Sequence, residues 1–315
     1  MKQAVAWITG AAGFLGRHTA RRLAQEGWHV VGLAERDADG AWCRAWGFQG
    51  WAVGPLEPAA MDAAAGIHPM PDLILHAAGT SSVGAAAAAS LTAFDRTVRS
   101  TAVLLDMVRR HCPDAYVVYP SSAAVYGDNP GGPLAEDRPC CPASSYGWYK
   151  LMAETALSEA GAQHGIRSTA IRFFSLYGPE LRKQVLWDWS RQLLAAKGPL
   201  TFGGTGAEVR DFLHVDDAVR LIMDLAGLAP ADRPSLINGG TGRGIAMADL
   251  GGRLSAALGM NAEIVFDGTR RPGDPACYLA ATGRLEAMGF TPHVALDEGL
   301  ALYAAWVKAA LERTT

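Results

Sequence analysis

Residues 10–16 read GAAGFLG, between the apolar run AVAWIT and the helical pattern RHTARRLAQEG. This strand, glycine turn and helix constrain the fold more than any other stretch. A diphosphate can approach a helix N-terminus only where no Cβ stands in the way, and there it meets free N–H groups and the positive end of the helix dipole. Gly10, Gly13 and Gly16 provide that approach. A glycine-rich tight turn without a ligand has the same composition. Its position at the start of a βαβ unit favours a dinucleotide cradle.

The rest of the first half keeps the same rhythm. HVVGLA reads as a second strand, GWAVG as a third and DLILHAAG as a fourth. A helical pattern over about 90–110 follows, then the strand AYVVYPSS, a helix carrying Tyr146 and Lys150, and a sixth strand, RSTAIRFFSLYGP. Strands alternating with helices predict an α/β fold with a Rossmann-type, doubly wound parallel sheet covered on both faces. Beyond about residue 178 the alternation breaks into Gly/Pro-rich loops and short elements. The expected division is a dinucleotide-binding domain over 1–177 and a smaller C-terminal substrate lobe over 178–315, some of whose segments return to the first domain. The alanine-rich runs GAAAAAS and MDAAAG read as helix or loop filler.

Composition excludes several classes. The net charge of −3 shows no basic stripe for nucleic acid and no acidic tail. No apolar run is long enough to span a bilayer, and the glycine turn comes too early for a signal peptide. The five cysteines, Cys43, Cys112, Cys140, Cys141 and Cys277, lack CxxC spacing and nearby paired histidines. They read as reduced thiols of a cytoplasmic protein, with no metal site.

The second strand ends in Ala34, Glu35 and Arg36, where the adenosine ribose would be read. A carboxylate there accepts from both ribose hydroxyls and favours NAD, whereas an arginine pairs with a 2′-phosphate and favours NADP. Glu35 and Arg36 argue opposite ways, and either is also an ordinary loop charge. Further on, SSYGWYK places Tyr146 and Lys150 four positions apart, on one face of a helix. A phenol is protonated at neutral pH, and an ammonium beside it stabilises the phenolate. That pair can be chemistry or two helix neighbours.

TGAAGFLG, DLILHAAG, VVYPSSAAVYG, YGWYK, RFFSLYGP, VRDFLHVDDAV and RPGD, in this order and spacing, resemble the extended short-chain dehydrogenase/reductase family of sugar-nucleotide epimerases, dehydratases and reductases. The resemblance implies an enzyme with Tyr146 as acid/base, Lys150 as its partner and ribose holder, and Ser122 as the hydroxyl on the reacting oxygen. It implies cofactor contacts from Gly10, Gly13, Phe14, Leu15, Gly16, Glu35, Arg36, Leu56, His76, Ala77, Ala78, Tyr146 and Lys150. Ser121, Ser122, Ser175, Arg210 and Arg271 would meet the substrate, the two arginines pairing with its diphosphate. His76 is equally readable as a structural histidine. Asp216 and Asp217 read as caps of the following helix. A homodimer through helices around 95–110 and 146–160 is implied as well.

The chain departs from the family pattern in several places. Asp is common where Ala34 stands, and Arg36 beside it tilts the cofactor towards NADP, with NAD as the alternative. Ala123 and Ala124 occupy positions that carry acids in dehydratases, which disfavours elimination. Asn is frequent where Thr97 and Ser175 stand. Tyr149 and Trp148 replace small residues, Trp148 reading as sugar-pocket lining or core packing. The resulting expectation is reduction of a nucleotide-linked 4-keto-6-deoxyhexose. The alternatives are a nucleotide-sugar 4-epimerase, a small-carbonyl reductase, or a non-catalytic cofactor sensor on the same fold.

Overall fold

The computed structural model describes residues 3–129, 131–196, 198–269 and 275–313. They form two compact units that interleave along the chain. One takes the chain up to Gly127, Pro139–Phe173 and Val219–Ile237. The other takes Asp128–Arg138, Phe174–Ala218 and the chain from Asn238 onward.

The first unit is organised by six strands: β1 Val5–Thr9, β2 His29–Ala34, β3 Gly50–Val53, β4 Leu73–His76, β5 Tyr116–Ser122 and β6 Arg167–Phe173. Their order is β3-β2-β1-β4-β5-β6, and each neighbouring pair is parallel. A seventh strand, Leu236–Gly239, lies beside β6. The central strands are covered on both faces, which is why they read as continuous apolar runs rather than alternating ones. Trp7, Val31, Ile74, Val117 and Tyr119 fill this core. Strand order reverses between β1 and β4, the switch point where open α/β sheets bind ligands.

The glycine turn lies at that point. Gly10 has φ +63, and a Cβ on it would come within 2.6 Å of the Ala77 carbonyl oxygen, just past β4. Gly13 is the extended N-cap of helix Phe14–Gln25, which therefore starts three residues before the predicted Arg17. The helix predicted over 90–110 arrives in three parts: Ser90–Phe94, a π-helical turn Asp95–Arg99, and Ser100–His111. Apolar periodicity does not resolve one inserted residue, so the π-turn is invisible in the sequence. Most of GAAAAAS lies in helix Val83–Ala88, capped by the Ser82 side chain on Ala85 N.

The predicted sixth strand splits. β6 ends at Phe173, and Ser175–Tyr177 pairs with Val209–His214 in the second unit. The break comes at Phe174, whose N–H donates to the Gly239 carbonyl. One apolar run cannot show two pairing partners. Val209–His214 also pairs in parallel with Cys277–Tyr278 and antiparallel with Gly244–Ala246. Trp189 stacks on Phe202 with ring centroids 4.3 Å apart in this unit's core. All five cysteines are unbridged.

Candidate active site

Helix Ser145–His164 begins at Ser144, whose side chain accepts from Gly147 N at 3.2 Å, and ends at Gly165 in the left-handed conformation. Its first turn lies directly on the 3₁₀ turn Ala123–Tyr126 that follows β5. A Cβ on Gly147 would stand 2.5 Å from the Ala124 carbonyl oxygen, so only glycine permits this approach. The contact brings the half-buried Tyr146 beside Ser122, whose hydroxyl favours the phenolate. Ser122 also caps the turn, accepting from Ala124 N at 3.2 Å. Ala123 and Ala124 are buried at this turn.

Lys150 is one turn along the same helix. Its ammonium donates to the Pro120 carbonyl at 2.6 Å and lies 4.6 Å from the Tyr119 ring centroid. A proline in a central strand is tolerable here because β4 pairs only with Tyr116–Val118, leaving the last residues of β5 without a neighbour on that side. Lys150 together with an oxidised nicotinamide is expected to lower the Tyr146 pKa, and the surroundings the protein itself provides oppose them. Burial pushes the phenol up from its ordinary value, against the opposing pull of the Ser122 hydroxyl.

Ser121, expected at the substrate, is instead buried. Adjacent strand residues face opposite sides of a sheet, so Ser121 and Ser122 diverge. Ser121 donates to Glu154, which in turn pairs with Arg172 through Nε at 3.1 Å and Nη2 at 2.7 Å. The ion-pair side chains are only 5% and 9% exposed, and the Arg172 guanidinium lies 4.7 Å from the Tyr126 ring centroid. Burial works to lower the Arg172 pKa, but the Glu154 carboxylate outweighs it and holds the guanidinium charged. Glu154 and Arg172 were missed in the sequence. The signal for Glu154 was its place four residues after Lys150; Arg172 had none, because its register opposite Ser121 is a non-local fact.

Of the residues expected around the dinucleotide, Gly10 lies against Ala77 and Ala78 at the switch point. Gly13 offers no side-chain oxygen to the first turn of its helix, which leaves the amides of Phe14, Leu15 and Gly16 as the ready-made anion site of an uncapped N-terminus. These residues fit a pyrophosphate. Leu56 is half-buried against the core. His76 is fully buried and structural. Thr101 gives its hydroxyl proton to the Thr97 carbonyl at 2.6 Å, so it accepts from His76 Nε2–H at 3.0 Å. His76 Nδ1 therefore accepts from Thr9 Oγ1 at 2.8 Å, and Thr9 accepts from Ala78 N at 3.0 Å. This chain fixes the Ala77–Ala78 loop against β1. Burial, aided by the Lys150 charge, lowers the His76 pKa to about 3. Glu35 and Arg36 are exposed just past β2, and Glu35 pairs with Arg96 at 2.7 Å.

In the second unit, Ser175 opens its strand opposite Phe212. Arg210 lies on Val209–His214 with its guanidinium 5.7 Å from the Tyr278 ring centroid and donates to the Val209 carbonyl at 2.8 Å. Arg271 falls outside the described residues. Asp217 accepts from the amides of His293 and Val294, both at 2.9 Å, and so ties down another segment. Asp216 approaches His214 Nδ1 at 3.5 Å. Among the described residues no His/Cys/Asp/Glu group could hold a metal, and no helix is long and apolar enough to cross a membrane.

Comparison with known proteins agrees with this geometry. The model of the NAD dependent epimerase/dehydratase family matches residues 6–234. A UDP-glucose 4-epimerase of Azospirillum brasilense is 30% identical over 311 residues, covering 92% of this chain and 88% of its own. The structure of MoeE5 in complex with UDP-glucose and NAD aligns with a TM-score of 0.84 and 28% identity, covering 98% of this chain and 100% of that one. The fold is shared with the UDP-glucose 4-epimerase of Thermotoga maritima solved with UDP-glucose, at a TM-score of 0.87 and 23% identity, covering 98% and 99% of the two chains.

Proposed function

Because this chain belongs to the NAD dependent epimerase/dehydratase family, we propose that it is a nucleotide-sugar 4-epimerase acting on a UDP-linked hexose. The observation that carries this reading is the placement of Tyr146 beside Ser122, on the helix that also carries Lys150. Tyr146 removes the proton from the C4 hydroxyl and later returns it, while Ser122 orients that oxygen. The amides of Phe14, Leu15 and Gly16 would hold the pyrophosphate of a nicotinamide dinucleotide, which would supply a hydride acceptor and donor for C4 and, when oxidised, positive charge beside the phenol. Lys150, fixed on Pro120, holds the ribose and favours the phenolate that burial disfavours.

Net reduction of a 4-keto-6-deoxyhexose rested on Arg36 and on the alanines at 123 and 124. It gives way to the epimerase alternative, since relatives spanning nearly the whole chain are named 4-epimerases. The alanines agree with either reaction, because neither eliminates water. NAD is the cofactor supported by the aligned complexes, in place of the expected NADP. Arg210 and Arg271 are assigned to the substrate diphosphate and Ser175 to the substrate. A homodimer is supported by Trp148 and Met152, which are 46% and 41% exposed on the helix expected to pair around 146–160. Trp148 is thus not core packing.

The test is incubation of the purified protein with UDP-glucose and UDP-glucuronate, followed by NMR at the sugar C4. Formation of the 4-epimer without net change at 340 nm supports the epimerase. Consumption of NADPH with 4-keto-sugar nucleotides, and no epimer, supports the reductase instead.

A further inference from the structure

Two ion pairs in the first unit link one π-turn to the segments just past β2 and β3. Arg96 and Arg99, both in the π-turn Asp95–Arg99, reach Glu35 just past β2 and Glu57 at the N-cap of helix Pro58–Ile67. The Arg96–Glu35 contact is 2.7 Å, and both side chains are about half exposed. Glu35 stands where a dinucleotide-binding fold reads the adenosine ribose. The other charges of that loop are engaged locally. Asp37 accepts from Ala38 N, and Asp39 accepts from Ala41 N as a helix cap. The Arg36 carbonyl accepts from Trp51 Nε1 at 3.3 Å, and Trp51 occupies the space a Cβ on Gly32 would need. Glu35 is thus the carboxylate of that loop that pairs with a guanidinium from another element, Arg96.

We propose that Arg96 is a specificity-determining residue for the dinucleotide: by holding Glu35, it sets how strongly that carboxylate rejects a 2′-phosphate. An unpaired carboxylate accepts from both ribose hydroxyls and repels a phosphate. With one oxygen engaged by a guanidinium, it has less capacity for the diol and less repulsion for the phosphate. The sequence could not show this, because 61 residues separate the partners. The inference rests on the dinucleotide reading above.

The experiment is titration of the purified protein with NAD and with NADP by calorimetry, comparing the ratio of the two dissociation constants. Arg96→Ala is expected to shift the ratio towards NAD by about fivefold, and Glu35→Gln to shift it towards NADP by a similar factor. Both side chains are half exposed, so unchanged melting temperatures confirm folding. A ratio that stays within about twofold in either variant overturns the proposal. Binding of neither dinucleotide to the unsubstituted protein overturns the dinucleotide reading, and this proposal with it.

Discussion

Lys150 gives its ammonium to the carbonyl of Pro120, 2.6 Å away. The strand that ends beside the reacting hydroxyls thereby anchors the cation of the helix that carries Tyr146. Replacing Lys150 with Met removes the charge but keeps most of the apolar stem. Turnover is expected to fall by roughly 100-fold or more, with the fold retained. Steady-state rates together with melting temperature check this.

The Tyr119 hydroxyl is fully buried and has no hydrogen-bond partner. Burial raises its pKa well above the ordinary value, which keeps it neutral. An unsatisfied buried hydroxyl costs about 1–3 kcal/mol, whereas the ring beneath Lys150 is useful packing. Tyr119→Phe is therefore expected to unfold at a higher temperature than the unsubstituted protein, read by calorimetry, with turnover preserved.

Glu154 and Arg172 form a buried pair behind Ser121. Removing one partner leaves the other charge uncompensated. Glu154→Met or Arg172→Met alone should destabilise the protein by about 3 kcal/mol, and replacing both residues with Met should recover most of that loss. Urea denaturation of the two single variants and the double variant completes the cycle.

His76 titrates near 6.5 when unfolded and is lowered to about 3 when folded, so the native state carries it neutral. Its contribution is full above pH 6.5 and is lost as pH falls from there towards about 3. The unfolded chain binds the extra proton in that window, so stability should drop by about 1.4 kcal/mol per pH unit from this residue. The slope should flatten in His76→Gln, measured by urea unfolding from pH 7 to 4.

The parts of the site legible in the sequence are those written locally. The glycine turn states its own chemistry, because Gly10 needs a positive φ and Gly13 and Gly16 need the absence of a Cβ. The Tyr146–Lys150 spacing is a helix period, and β1, β2 and β5 fall on the apolar runs that marked them. The illegible parts depend on register. Ser121 faces Glu154 because β5 and β6 pair Ser121 with Arg172. Glu35 is engaged because a π-turn on another element turns Arg96 towards it. The Tyr146 pKa was expected low because its cationic neighbour was visible in the sequence and its burial was not.

The most direct test of the account follows a deuterium label at C4 of a UDP-hexose through turnover by the purified protein. Hydride removal and return at C4, with Tyr146 moving the hydroxyl proton, predicts a 4-epimer that retains the deuterium, and no epimer from Tyr146→Phe even though that variant still binds NAD. Loss of the label to solvent, or undiminished turnover by Tyr146→Phe, would contradict it.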